Sequence, residues 1–270
     1  MLQFDQSFRF EDQKIAWGRI GEGPPLVMIH GTPFSSQVWR RIAPLLASRR
    51  SVYFFDLLGY GRSAKENVPD VSLGIQNRLF AALLREWGLQ DPDVLAHDFG
   101  GATALRAHYL QKIRYRSLIL VDPVAVPPWG SPLVQHVREH EAAFAGVPDY
   151  IHEAILRAYL QGAAFRPLSD EAMNLYLEPW LGPVGKPAFY RQIAQMDQKY
   201  TDEIEELYSA MSCPVRLLWG EQDQWIPISQ GERLANKLTN GALTPVPMAG
   251  HLVQEDAPEA IVAALFETLR

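Results

Sequence analysis

The stretch Ala96-His97-Asp98-Phe99-Gly100-Gly101 decides how this chain folds. It closes a short apolar run, Val94 to Ala96, and leads into a helical pattern that begins near Thr103. The residues two before and two after Asp98, Ala96 and Gly100, are both small, which a strand-to-helix turn folded tightly back on itself requires. A side chain at such a turn projects alone above the sheet edge. An aspartate before a helix also suits a plain N-cap, accepting from the free N–H groups of the first turn. The surrounding motifs separate these two uses.

Working outward, Leu26 to Ile29, Val52 to Phe55, Val94 to Ala96, Ser117 to Val121, Val215 to Trp219 and Leu243 to Val246 are apolar runs of strand length. Between them, Gln37 to Leu46, Leu73 to Trp87, Thr103 to Ile113, Gln230 to Leu238 and Pro258 to Leu269 carry apolar residues at helical spacing. Alternation of this kind predicts a mostly parallel sheet covered by helices on both faces. Phe8 to Ile20, ending in Gly21-Glu22-Gly23-Pro24-Pro25, predicts an antiparallel hairpin at one sheet edge. From about residue 127 to 211 the alternation stops, and a segment rich in Tyr, Trp and Pro follows, with helical patterning over Tyr150 to Gln161. The expected organisation is an α/β core of residues 1–126 and 212–270, with 127–211 as a helical cap insertion hinged at the proline-rich Pro123 to Pro132.

The motifs around the turn occur in a specific order. His30-Gly31-Thr32-Pro33 follows one strand, Asp56-Leu57-Leu58-Gly59-Tyr60-Gly61-Arg62-Ser63 the next, then Asp98, then Gly220-Glu221-Gln222-Asp223 and Gly250-His251. In this the chain resembles the α/β-hydrolase family over essentially its whole length, and specifically the branch with an aspartate nucleophile. The resemblance implies Asp98 as nucleophile, His251 as base and Asp223 as the acid orienting it, in the family's chain order. Some dehalogenase-like relatives place the acid where Asp122 stands, so that position remains open. The resemblance also implies oxyanion donors at the backbone N–H groups of Phe99 and Thr32, and buttressing roles for His30 and His97. The Gly59-Tyr60-Gly61 segment lacks the third glycine and the lysine of a phosphate cradle and is expected to be a structural turn.

The choice of aspartate carries chemical meaning. A serine displacing a leaving group from saturated carbon would form an ether, which offers no carbonyl for water to attack. An aspartate forms an ester, and water activated by His251 can hydrolyse it. Within this branch the resemblance offers epoxide hydrolases, haloalkane dehalogenases and haloacetate dehalogenases. The usual halide donors, Trp after the nucleophile and Asn after His-Gly, are replaced by Phe99 and Thr32, leaving Trp129 or Trp180 to reach in from the insertion. Phe99 also stands where haloacetate enzymes need an arginine. Epoxide hydrolases use insertion tyrosines as proton donors, and of Tyr150, Tyr159, Tyr176, Tyr190, Tyr200 and Tyr208 the resemblance favours Tyr150 and Tyr190. The sequence reading is an epoxide hydrolase, with a dehalogenase as alternative and a hydrolase-fold protein that binds a small ligand without turnover as a third.

Composition narrows the partners. Of 270 residues 47% are hydrophobic and 21% charged, and the net charge of -6 gives no basic field for nucleic acid. The lone Cys213 excludes an intramolecular disulfide, and no cofactor or metal motif is present. No apolar run approaches a membrane span or a signal segment. A small apolar organic substrate, water, a cytoplasmic location and a monomer or homodimer are the expectations.

Overall fold

The computed structural model describes residues 1–66 and 68–269. Among them, eight strands form one sheet in the order β1-β2-β4-β3-β5-β6-β7-β8. These are β1 (Gln6–Phe10), β2 (Gln13–Ile20), β3 (Pro25–Ile29), β4 (Ser51–Phe55), β5 (Asp93–His97), β6 (Ser117–Val121), β7 (Val215–Gly220) and β8 (Thr244–Val246). The hairpin β1–β2 and the pair β2–β4 are antiparallel, and every later pairing is parallel. Every residue of β4, β5 and β6 is buried, as a sheet covered on both faces demands. The expected mixed edge and central strands are therefore present.

Two helices depart from the pattern read in the sequence. Gln37 to Leu46 is not one helix but a 3-10 turn, Ser36–Trp39, followed by the short α1, Ala43–Leu46. Pro44 explains the break, because it has no N–H to give to an earlier carbonyl and its ring crowds the preceding turn. The helix after β5 begins at Phe99, not Thr103, so α3 (Phe99–Gln111) starts directly from Asp98. On the core, α2 (Leu73–Glu86) packs against α3, while α9 (Ile228–Leu238) and α11 (Pro258–Thr268) pack on β7, α11 also on β6. The four-residue α10, Val253–Asp256, lies between β8 and α11.

Between β6 and β7 run α4 (Pro132–Ala145), α5 (Asp149–Gly162), α6 (Asp170–Leu177), α7 (Gly182–Ala194) and α8 (Lys199–Glu205). Ser131 and Ser169 accept hydrogen bonds from Val134 and Ala172 N–H, satisfying free donors at the starts of α4 and α6. Helix α4 packs on α7, α5 on α6 and α7, and α8 back on α3. No helix among the described residues is long and apolar enough to cross a membrane.

This topology fixes where chemistry can occur. The loops that follow β3, β5, β6, β7 and β8 carry Thr32, Asp98, Asp122, Asp223 and His251 respectively, all at the carboxyl edge of one parallel sheet. In open α/β sheets that edge is where the backbone leaves a crevice for ligands.

Candidate active site

Asp98 sits in the sharp turn the sequence predicts, with φ 51° and ψ -118°. A non-glycine residue in that region stores about 1–3 kcal/mol of strain, which the packed surroundings must offset. Two glycines make the turn possible. A Cβ on Gly100 would lie 2.3 Å from the Ile29 carbonyl oxygen, and one on Gly31 would lie 2.3 Å from the Cβ of Asp98 itself. The Asp98 side chain makes no capping hydrogen bond to α3, so the N-cap use does not describe this residue.

Its carboxylate is held at one oxygen. Oδ1 accepts from Thr32 N–H at 2.7 Å. Oδ2 lies 3.3 Å from Nε2 of His251, a contact without hydrogen-bond alignment, since that buried nitrogen has no partner among the described residues. Nδ1 of His251 is 2.8 Å from Oδ2 of Asp223. Asp223 is fixed in turn at Oδ1 by Trp225 N–H (2.7 Å) and Ile226 N–H (2.9 Å). The structure thus brings together Asp98, His251, Asp223, Thr32 and Phe99.

Asp122 approaches the same imidazole but is held differently. Its Oδ1 accepts from Gly220 N–H at 2.8 Å, whereas its buried Oδ2 has no partner among the described residues. Burial, and then the negative charge of Asp223, push its carboxyl well above the usual range and favour its protonated form, whereas Asp223 is hydrogen-bonded to the imidazole. Asp122, Asp223 and His251 are also the one cluster of metal-ligand type among the described residues. Nδ1 and Asp223 already satisfy each other, which leaves the trio a proton network rather than an open ligand set.

Burial works against a charge on His251, but Asp223 and then Asp98 outweigh it and hold the imidazole pKa well above its ordinary value. Burial likewise raises Asp98, and the charges of His251 and His97 with the Phe99 N–H outweigh it, keeping the carboxyl below its ordinary value. The resting site is a carboxylate facing an imidazolium. His97 is pushed down to about 3, by burial and by His251, and its Nε2 lies 2.9 Å from the His251 carbonyl. Neutral His30 bridges the Gly31 carbonyl and Leu57 N–H, each at 2.9 Å, burial being the main reason its pKa falls. Both histidines hold loops, as the resemblance implies.

Above Asp98 lies a small pocket walled by Phe99, Val124, Trp129, Val134, Tyr159, Met196 and the Trp225-Ile226 pair, with Thr32 at its floor. It leaves about 30 Å³ for the centres of water-sized molecules. Three expectations about this wall need correction. Tyr150 is 73% exposed at the start of α5 and lies outside the pocket. Tyr190 is buried, but its hydroxyl is 3.0 Å from His152 Nδ1 and its ring packs against Phe144 and Phe189, away from Asp98. Trp129 does line the pocket, yet its indole N–H is spent on Thr201 Oγ1 at 2.8 Å, and that of Trp180 on the Pro33 carbonyl at 2.6 Å.

The fold over the chain's length and this set of groups at one sheet edge agree with a sequence match: residues 26–264 match the alpha/beta hydrolase family. The chain belongs to that family. An alpha/beta hydrolase fold protein from Burkholderia ambifaria, solved by crystallography, is 59% identical, with 99% of this chain and 98% of that one covered at a TM-score of 0.97. A haloalkane dehalogenase of Bradyrhizobium diazoefficiens is 28% identical over 267 residues, 89% of this chain and 85% of its own. The epoxide hydrolase CorEH shares the fold at a TM-score of 0.77 and 21% identity, over 98% of this chain and 99% of its own. The protein is an enzyme, a hydrolase of this family whose curated relatives include a haloalkane dehalogenase.

Two residues of this hydrolase's site were not singled out by sequence reasoning. Tyr159 stacks on Trp225 at 4.5 Å between ring centroids, and Trp225 packs on the His251 ring at 5.1 Å. Burial and then the charge of Asp98 raise the Tyr159 phenol far above its ordinary value, keeping it a proton donor. The signal was helical spacing, since Tyr159 shares a face of α5 with buried His152, Leu156 and Leu160. Gln192, on α7, accepts from Thr32 Oγ1 (2.6 Å) and Tyr60 OH (3.0 Å), tying the insertion to the loop that supplies the Thr32 N–H. No local pattern announces that contact, which spans 160 residues.

Proposed function

We propose that this hydrolase opens epoxides through a covalent ester on Asp98. The observation that carries the reading is the asymmetric hold on one carboxylate, Oδ1 against the Thr32 backbone N–H and Oδ2 free to face His251 and the pocket that Asp98 lines. In the first step Oδ2 attacks a ring carbon, the C–O bond of the epoxide breaks, and the leaving alkoxide takes the proton of Tyr159. In the second, His251 removes a proton from water, which attacks the ester carbonyl carbon, and the negative charge on Oδ1 is met by Thr32 and Phe99 N–H. The Cγ–Oδ2 ester bond then breaks, His251 returns the proton to the leaving diol oxygen, and the Asp98 carboxyl so formed gives its remaining proton to His251, which restores the carboxylate and the imidazolium.

The electrostatics suit this order. Asp98 is one cause of the raised His251 pKa, and forming the ester removes its charge. The imidazolium then gives its proton to the phenolate that the first step leaves on Tyr159, and becomes a free base when the ester needs water. Asp223 is the orienting acid in this reading, and residues 127–211 act as a cap whose apolar wall favours small apolar substrates.

Epoxide is favoured over halide because the wall carries the Tyr159 hydroxyl, while the Phe99 side chain offers no donor and the indoles of Trp129 and Trp180 are engaged. Similarity to a haloalkane dehalogenase supports halide displacement as the second reading. The test incubates the protein with styrene oxide and with 1-bromobutane, following diol and bromide, while a His251→Gln variant is examined by mass spectrometry. The expected result is diol formation and, in the variant, an Asp98 adduct of epoxide mass. Bromide release without diol moves the assignment to dehalogenation. A variant that forms no adduct with either compound removes the covalent mechanism.

A further inference from the structure

Two carboxylates follow His251 within five residues, and neither belongs to the reacting set. Asp256, buried at the end of α10, has no cationic partner among the described residues. Instead it accepts three backbone N–H groups. Oδ2 takes Gly250 (2.9 Å) and Phe165 (2.8 Å), and Oδ1 takes Arg166 (2.9 Å). Both oxygens must accept at once, which a carboxylate does and an amide cannot.

The two loops so joined are in backbone contact. A Cβ on Gly250 would lie 2.8 Å from Phe165 N and 2.9 Å from the Ala163 carbonyl, and Leu252 N–H donates to that carbonyl at 2.8 Å. His251 is therefore flanked on one side by the Leu252 bond to Ala163 and on the other by Gly250, which shares the Asp256 carboxylate with Phe165 and Arg166 in the segment that leaves α5. One turn back on α5 stands Tyr159. A single joint sets the base relative to the sheet and to the hydroxyl across the pocket.

We infer that Asp256 is a positioning residue whose carboxylate locks the 163–166 segment to the Gly250-His251 loop and so aligns His251 for attack of water on the ester. The inference rests on the two-step reaction proposed above. Because His251 acts as base only in the second step, misalignment separates the steps, where a general loss of structure slows both. A displacement of about 1 Å at a catalytic group lowers its rate on the order of 100-fold.

The test uses Asp256→Asn, with His251→Gln in parallel, under single turnover with styrene oxide. Ester formation is expected to stay within about 3-fold of the unmodified protein, while ester hydrolysis slows about 10- to 100-fold and the adduct accumulates. The low-field proton resonance of His251 Nδ1–H is expected to shift or broaden. A folded Asp256→Asn protein with both rates reduced in proportion, or with neither rate nor resonance changed, overturns the inference. If His251→Gln accumulates no ester, the reaction itself fails, and the Nδ1–H resonance alone decides whether Asp256 positions the ring. If Asp256→Asn does not fold, amide exchange in the unmodified protein decides. Gly250, Phe165 and Arg166 are expected to exchange as one protected unit, and independent exchange contradicts the joint.

Discussion

The half of the site built by the sheet and the half built by residues 127–211 hold their groups by different means. On the sheet side every reacting atom is fixed by backbone N–H or by a residue that backbone N–H fixes: Thr32 on Asp98, then Trp225 and Ile226 on Asp223, which holds His251. On the insertion side the wall is mostly apolar, the indoles of Trp129 and Trp180 bond elsewhere, and Tyr159 and Ser131 bring hydroxyl groups to the lining. Preorganised dipoles on the first side suit charge that develops in any ester chemistry. The leaving group depends on the second side. In the proposed reaction one half sets the kind of chemistry and the other its substrate.

That division is broken most severely on the sheet side. Asp223→Asn is expected to lower turnover about 10³- to 10⁴-fold, because the amide no longer holds the imidazolium or its tautomer. Asp122→Asn, assayed beside it, is expected to stay within about 3-fold, since the protonated Asp122 bonds only Gly220 N–H and Asn keeps that bond. A large loss from Asp122→Asn and a small one from Asp223→Asn would exchange their roles.

Stability supplies the sign. A carboxyl whose folded pKa is raised favours folding below its unfolded value and progressively opposes it as pH rises through the folded one. Asp122 is raised, so Asp122→Asn is expected to increase Tm at pH 7, with no gain near pH 3.

A smaller and more selective effect belongs to the insertion side. Tyr159→Phe keeps the stack on Trp225 and removes only the hydroxyl. Epoxide opening is expected to fall about 10²-fold, and hydrolysis of an ester already formed to change little. Equal losses in both steps would show that Tyr159 shapes the pocket rather than serving the leaving group.

The sheet half was legible because its constraints are local. A turn this sharp admits only small residues at Ala96 and Gly100, and Gly31 must lack a side chain to pass Asp98, so each leaves a mark in the sequence. The 3-10 break at Ser36–Trp39 was hidden by apolar spacing that ignored Pro44. In the insertion, position along the chain pointed to Tyr150, but the face of α5 that turns inward carries Tyr159, one residue before Leu160. Trp129 was rightly near the pocket, and nothing local says that its N–H meets Thr201, 72 residues on. Asp122 and Asp223 follow neighbouring strands alike and are both buried, and only their hydrogen bonds tell them apart.

The most direct test of the covalent role of Asp98 is a single turnover of styrene oxide in ¹⁸O-labelled water with enzyme in excess. The diol of that first turnover is expected to carry no label, because its new oxygen comes from the Asp98 carboxylate, and peptide mass spectrometry is expected to find the label on Asp98. Label in the first-turnover diol with none on Asp98 would mean that water attacks the substrate directly, which contradicts the covalent account.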